Sequence, residues 1–217
     1  MKSHAQDPAA RAVLLIALIA TACGGGGGES ASTIAVPTPL PDSGVIPLGT
    51  YVTNFQPKMT FAAASTGWEV DVETPGWVGM EFPLPDHVLA TLSIVAVEKV
   101  FDPRHDGKLI DPPDDLADWI GKLPGLTVVA PPTPVTVGGI EGKQLDVLIG
   151  PDNVGVGPIS GAHVGNGFFK NGAFRIIVVS VDGQDVQISF APDEVGSGHF
   201  DAAASLAQPL IDSITWG

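Results

Sequence analysis

The chain has 217 residues, of which 10 are Lys or Arg and 24 are Asp or Glu, so its formal net charge is −14 at pH 7. A surface this acidic repels phosphates, which excludes nucleic acid as a partner. Apolar residues make up 44% of the chain, enough for a single hydrophobic core, and a single cysteine excludes an internal disulfide.

The first 22 residues have the pattern of a signal peptide for export. Lys2 and Arg11 precede an uncharged apolar run from Ala12 to Ala22, which ends in small residues directly before Cys23. This run is shorter than the ~20 apolar residues of a membrane-spanning helix. We predict a lipoprotein signal peptide over residues 1–22 and lipidation of Cys23, which anchors the protein to the extracytoplasmic face of the cell membrane. The alternative is an ordinary cleaved signal followed by an unrelated cysteine.

Residues 23–49 have the composition of a tether. Five glycines, Gly24–Gly28, are followed by spaced prolines from Pro37 to Pro47, without the periodicity of a helix or strand. A flexible coil of this length spans roughly 25–30 Å. We therefore expect the folded domain to occupy residues 50–217 and to stand off the lipid headgroups.

The domain shows the alternation of β-strands through most of its length. Apolar and acidic residues interleave from Trp68 to Glu73, and Gly138-Gly139 and Asp182-Gly183 are typical of tight hairpin turns. The predicted strands are 51–55, 58–61, 68–73, 77–82, 89–101, 126–130, 135–137, 140–149, 173–181 and 185–191.

Two segments have helical periodicity. Asp111 precedes two prolines and a run with apolar residues at Leu116, Trp119, Ile120 and Leu123, which predicts a helix capped by Asp111. A second apolar stripe runs from Phe200 to Ile214 and contains Pro209, for which we expect a kink or break near Ser205.

Strands combined with two amphipathic helices predict an α+β fold, a mostly antiparallel twisted sheet with helices packed against it. Several short motifs also resemble an exported lipoprotein domain of actinobacteria and Chloroflexi, similar to the PsbP-like and LpqN-type lipoprotein group. The motifs that carry this resemblance are Gly49-Thr50-Tyr51, Gly67-Trp68, Leu123-Pro124-Gly125-Leu126, Gly138-Gly139-Ile140-Glu141-Gly142-Lys143 and Ile211-Asp212-Ser213-Ile214. The resemblance implies a PsbP-like sheet flanked by helices and brings no catalytic residues with it.

The resemblance also implies a contact between two loops. Related sequences carry a cysteine after an Asp-Pro pair and a second cysteine in the other half, whereas here Arg104 follows Asp102-Pro103. If both cysteines were lost together, the loop 101–107 lies near the loop 150–172.

A cation site is one candidate in the first of these loops. Asp102, His105 and Asp106 supply oxygen and nitrogen ligands for a hard cation, and further acids follow at Asp111 and Asp114. Their spacing matches no calcium-binding loop, and the alternative is a solvated acidic face.

The glycine-rich loop 150–172 is the second candidate. It carries Val156, Ile159, Val164, Phe168 and Phe169, which predict a partner or ligand surface if they are exposed. In the alternative interpretation these side chains pack back onto the sheet.

No motif with an established catalytic mechanism is present, and we predict neither a catalytic residue nor a cofactor. A hydrolase needs a serine, a histidine and an acid in one cleft, for which Ser160, Ser197, His163 and His199 are the available candidates, but the Gly-x-Ser-x-Gly elbow is missing. The sequence favours a non-catalytic binding or protein-interaction domain. The alternative is a small-molecule or lipid carrier with an apolar pocket lined by Phe55, Phe61 and Trp119.

Overall fold

The computed structural model describes residues 36–105, 108–151, 158–159, 171–194 and 198–217. Two α-helices, α1 (Leu116–Ile120) and α2 (Phe200–Asp212), pack against sheets. The strands are β1 (Thr38–Pro39), β2 (Gly44–Val45), β3 (Gly49–Val52), β4 (Met59–Ala63), β5 (Glu69–Thr74), β6 (Trp77–Pro83), β7 (Leu89–Ala96), β8 (Lys99–Asp102), β9 (Lys108–Ile110), β10 (Leu126–Val137), β11 (Ile140–Ile149), β12 (Pro158–Ile159), β13 (Ala173–Val181), β14 (Gln184–Pro192) and β15 (Thr215–Trp216).

An eight-stranded sheet in the order β10-β11-β13-β14-β7-β6-β5-β2 forms the centre of the fold. A four-stranded sheet, β1-β3-β4-β15, and a three-stranded sheet, β12-β8-β9, accompany it. Pairing in the described residues is antiparallel except between β1 and β3. The predicted α+β fold, a mostly antiparallel sheet with helices on it, is confirmed.

Two predicted hairpins have the backbone that their turn residues favour. Gly138 and Gly139 have φ of 58° and 82° between β10 and β11, and Asp182 and Gly183 have φ of 52° and 82° between β13 and β14. Positive φ at both central residues is the requirement of a type I′ turn, which glycine and aspartate tolerate.

Strand β10 differs from the prediction, because two expected strands form one. It runs for 12 residues through Pro131, Pro132 and Pro134 and, among the described strands, pairs only with β11. Its register shifts twice between Val128 and Thr133. An edge strand tolerates proline because half of its N–H groups face away from the ladder.

The helices also correct two expectations. The cap of α1 is Asp115, whose carboxylate accepts the N–H of Asp118 at 3.0 Å, and not Asp111. Of the kink or break predicted near Ser205, the break does not occur, because helix α2 continues through Pro209. Its Ser205 hydroxyl donates to the carbonyl of Asp201 one turn earlier.

The central sheet is covered differently on its two faces. Along β13, Ile177 and Val179 contact the core under α2, whereas Ile176 and Val178 contact the core under α1. The first core includes Phe55 and Phe61, both fully buried. These two side chains fill the core, while Trp119 packs against the other core on the α1 face, so the three do not line one pocket.

The packed part of the chain begins before the boundary predicted at Thr50. Strand β1 pairs with Tyr51 and Val52, β2 pairs with β5, and both Leu40 and Ile46 are buried in the core under α2. One compact unit extends from Ala35 to Gly217. The C-terminal part of the predicted tether is therefore part of the fold. Its spaced prolines had the composition of a tether, although the segment is packed.

Two described residues of the segment 150–172 pair beside the start of the 101–107 loop. Pro158 and Ile159 of β12 pair with Val100 and Lys99 of β8, the two residues directly before Phe101. The predicted contact between the two loops themselves stays a prediction, because most of the segment 150–172 lies outside the described residues. In the described part of the chain, no helix is long and apolar enough to cross a bilayer.

Candidate functional site

A cleft of about 370 Å³ opens on the face of the central sheet that α2 covers. Helix α2 starts at Phe200 and packs against β13 and β14 of this sheet and against β4. Strands β10 and β11 lie at the edge of the sheet next to β13. The residues lining the cleft are Val129, Asp146, Val147, Leu148, Ala173, Phe174, Arg175, Phe200 and Asp201. We call this space the Arg175 cleft.

An ion pair between Arg175 and Asp146 forms one wall of the cleft. Asp146, Arg175 and Phe190 are direct neighbours across β11, β13 and β14, so their side chains project from the same face. Arg175 Nε donates to Asp146 Oδ1 and a terminal guanidinium nitrogen donates to Oδ2, both at 2.8 Å. This two-point contact fixes the planar guanidinium in one orientation.

Two aromatic rings hold the guanidinium from the other side. Its central carbon lies 5.7 Å from the centroid of Phe190 and 5.6 Å from that of Phe200. The two rings stack with centroids 5.9 Å apart. Hydrogen bonding to Asp146 raises the pKa of Arg175 above its already high usual value, so the cation is permanent.

Apolar side chains are exposed beside this fixed charge. Val129 on β10 is 62% exposed and Leu148 on β11 is 38% exposed. Large aliphatic side chains next to an oriented ion pair are the composition of a small-molecule site. The described residues that line the cleft include two carboxylates, Asp146 and Asp201, and no serine, threonine, cysteine or histidine.

His199, directly before α2, contacts two carboxylates. Its Nδ1 lies 2.9 Å from Glu194 Oε1, and its Nε2 lies 3.5 Å from Asp86 Oδ2. Glu194 Oε1 also accepts the backbone N–H of His199 at 2.8 Å. Glu194 raises the pKa of His199, and the histidine lowers the pKa of Glu194.

This cluster does not form a catalytic triad with any described serine. The ring partners of His199 in the described residues are carboxylates. Ser160, His163 and Ser197, the other hydrolase candidates, lie outside the described residues. The arrangement connects the start of α2 to the turn before β7, which is a structural role.

A second cleft, of about 260 Å³, lies on the α1 face. Lys143 forms an ion pair with Asp115, and this contact lowers the pKa of Asp115. Asp185 also lines this cleft, and burial raises its pKa. Both members of the Lys143–Asp115 pair are about half exposed, so water screens them.

Of Asp102, His105 and Asp106, the three residues at the centre of the predicted cation site, Asp102 has the only described carboxylate, and Arg104 donates hydrogen bonds to it. Its Oδ1 accepts the backbone N–H and the Nε of Arg104, both at 2.9 Å. Asp102 is buried, while the side chain of His105 and the whole of Asp106 lie outside the described residues. No group of three metal-ligating side chains occurs in the described part of the chain, and the complete site stays a prediction.

The predicted partner loop falls mostly outside the described residues. Ile159 is placed by its backbone in β12, and Val156, Val164, Phe168 and Phe169 are not described. Cys23 lies outside them as well. The loop surface and the lipidation of Cys23 therefore remain predictions.

The Arg175 cleft was missed by the sequence analysis, although one signal was available. Arg175 is the only charged residue in the run Ala173–Val181, whose other members are mostly buried and apolar. A charge inside such a strand needs a partner. The partner, Asp146, is 29 residues away, so only the strand register identifies it.

No protein-family model and no curated protein matches the chain. Among solved structures, the chain is similar to LpqN of Mycobacterium tuberculosis, a protein involved in cell envelope biogenesis. The sequence identity is 13%, the alignment covers 80% of this chain and 89% of LpqN, and the TM-score is 0.41. At this identity, residue roles do not transfer between the two chains.

Proposed function

We propose that the protein is a lipoprotein of the cell envelope, anchored through lipidated Cys23 on the extracytoplasmic face of the membrane, with a non-catalytic domain that binds a small amphipathic molecule. The observation that supports binding is the Arg175 cleft. It combines exposed aliphatic side chains, the ring of Phe200 and an ion pair locked in one geometry. The observation that supports anchoring is the position of Cys23 directly after the apolar run.

The ligand has an apolar body and a polar end that donates hydrogen bonds. The apolar body packs against Val129, Leu148 and the ring of Phe200. The polar end donates to the free lone pairs of Asp146 and to Asp201, because each Asp146 oxygen accepts only one bond from Arg175. The cleft contains the carboxylates of Asp146 and Asp201 and one guanidinium, that of Arg175, so its local charge is negative. The protein also has a net charge of −14, and both charges disfavour an anionic ligand.

A methyl NMR titration tests the cleft with two matched probes. The chain from Gly24 onward retains the compact unit Ala35–Gly217. Decylamine and decanoate share the same alkyl chain and carry opposite charges. We expect saturable shifts of the Leu148 and Val129 methyl signals with decylamine, and weaker ones with decanoate.

Two variants separate specific binding from general adhesion of the alkyl chain. Leu148→Asp places a charge on the apolar floor and abolishes the response. Leu109→Asp replaces another exposed leucine, on β9, and should leave the response to decylamine unchanged. Shifts spread over the whole protein, or an unchanged response in Leu148→Asp, would contradict binding at this cleft.

A further inference from the structure

Three aliphatic side chains near the first described residue are strongly exposed. Val36 is 86%, Val45 68% and Leu48 58% exposed. Single exposed aliphatic residues are common on protein surfaces. These three are among the four most exposed large apolar side chains of the described residues, and they fall within 13 positions of one another.

Strand pairing places Val36 beside the start of β3 in the four-stranded sheet, while Val45 belongs to β2 of the eight-stranded sheet. Strand β1 runs parallel to β3, with Thr38 opposite Tyr51. Two residues earlier, the same register places Val36 level with Gly49, next to Leu48. Val45 precedes Leu48 by three residues, and Ile46 between them is buried and holds the segment in place through its N–H bond to the Trp68 carbonyl at 2.9 Å. We call Val36, Val45 and Leu48 the N-terminal patch.

The chain that leads to the proposed lipid enters at this patch. Residues 24–35, which separate Cys23 from Val36, are 12 in number and begin with five glycines. A flexible coil of that length has a root-mean-square span of about 19 Å. This is shorter than the span of a tether that reaches residue 49, and a tether of this length would keep the patch within reach of the headgroup layer.

We infer that the N-terminal patch rests on the lipid surface and orients the domain there, an inference that depends on the proposed lipidation of Cys23. Acyl chains fix one end of the chain in the bilayer, so the patch meets the interface at high effective concentration. Apolar side chains gain free energy by leaving water for the interface. The exposed acids Asp42 and Glu69 lie near Val45 in sequence or pairing, which favours a zwitterionic surface over an anionic one.

A partition experiment with one acyl chain measures the contribution of the patch. The chain from Cys23 onward keeps the compact unit Ala35–Gly217, and its single cysteine accepts one myristoyl chain through a maleimide. One such chain alone binds a bilayer only marginally, with a constant of about 10⁴ M⁻¹. A further contact with phosphatidylcholine vesicles therefore appears as a measurable gain in binding.

The test variant carries Val45→Ser with Leu48→Ser, and the matched control carries Leu89→Ser with Leu109→Ser, two exposed leucines elsewhere. We expect about a fivefold loss of vesicle binding in the test variant, from the lost burial of two aliphatic side chains, and no loss in the control. Thermal melting checks that both variants are folded. Equal binding of the test variant and the unsubstituted protein, or an equal loss in the control, would overturn the inference.

This outcome is distinguishable from a failure of the proposed anchoring. The maleimide supplies the acyl chain chemically, so the vesicle result does not depend on lipidation in the cell. The mass of Cys23-containing peptide from cell membranes reports on that lipidation by itself. Replacing a third of the phosphatidylcholine by phosphatidylglycerol should weaken binding of the unsubstituted protein, and stronger binding there would contradict contact through an apolar patch.

Discussion

Arg175 is the residue on which the cleft depends, because Asp146 and two aromatic rings constrain it from different sides. Both members of the ion pair are about one-fifth exposed, so solvent screens them only partly. Asp146→Ala leaves a partly buried guanidinium without its carboxylate. We expect this variant to lower the free energy of unfolding by about 1.5–3 kcal/mol.

Urea denaturation of Asp146→Ala beside Lys122→Ala measures this difference. Lys122 pairs with Asp118 on the exposed face of α1, and its loss is expected to cost about 0.5 kcal/mol or less. Similar losses in the two variants would show that the Arg175–Asp146 pair is no stronger than a surface ion pair.

His199 gives the protein a contact that depends on pH. Glu194 raises the pKa of His199, so the stability from this contact is complete below the unfolded value near 6.5 and is lost as pH rises through the folded value. The pKa of Glu194 is lowered, so its share is present above its unfolded value and is lost as pH falls through the folded one. The contact is strongest between these two folded values.

An NMR titration of the His199 ring checks the direction of this shift. We expect a pKa above the usual value of about 6.5 in the unsubstituted protein. Glu194→Gln should bring it down, because that variant removes the main cause of the shift. Asp86→Asn is the weaker counterpart, since Asp86 is the more distant carboxylate. No change in Glu194→Gln would show that another group controls the ring.

At the level of elements, the pairing of β11 with β13 depends on a glycine. A Cβ at Gly142 would overlap the carbonyl of Val178 and lie 2.6 Å from Val179 Cγ1. Gly142→Ala must therefore push the two strands apart, and we expect a loss of about 1–3 kcal/mol or more. Gly49→Ala is the control, because its Cβ would meet only the Tyr51 ring, no closer than 3.7 Å.

Thermal unfolding of these two alanine variants tests whether the pairing of β11 with β13 requires Gly142. The melting temperature should fall for Gly142→Ala and stay within a few degrees of the unsubstituted protein for Gly49→Ala. Equal melting temperatures would mean that the strands move apart at little cost in free energy.

The sequence predicted elements best where the chemistry is local. Asp182-Gly183 and Gly138-Gly139 determine their turns by themselves, because positive φ is acceptable to few other residues. The predicted cap of α1 was wrong. Asp111 and Asp115 are both suitable cap residues, and packing of Leu116 selects Asp115. Pro209 was expected to kink or break α2, and the break does not occur because burial of Leu210 and Ile211 stabilises the last turn.

For the molecule as a whole, the start of the folded unit is the main correction. Ile46 is 1% exposed within the core, although the sequence placed it in a tether. Ile46→Ala should lower the free energy of unfolding by about 2–5 kcal/mol. Its neighbour Val45 is exposed, so Val45→Ala should change it by about 0.5 kcal/mol or less.

Chemical denaturation of this neighbouring pair measures where the domain begins. A large loss for Ile46→Ala alone places residues 38–46 inside the cooperative unit. Small losses in the free energy of unfolding for both variants would show that this segment belongs to the tether. That result would also remove the support for the N-terminal patch.

The site could not be read from the sequence in the way that the fold class was. Periodicity identifies strands, but it does not show that Asp146 lies beside Arg175, or that the ring of Phe200 contacts the guanidinium of Arg175. These contacts join three segments whose register only the folded sheet defines. The residues proposed from sequence clustered along the chain, in loops, whereas the cleft is built from single residues on separate elements.

The most direct test of the account is native mass spectrometry of the full protein, released gently from the membranes of its own cells. We expect an intact mass that includes acyl groups on Cys23, together with a non-covalent small molecule whose occupancy falls in Leu148→Asp and not in Leu109→Asp. An unmodified Cys23 would contradict the anchor. A protein without a bound molecule, or with the same occupancy in both variants, would contradict the Arg175 cleft as the binding site.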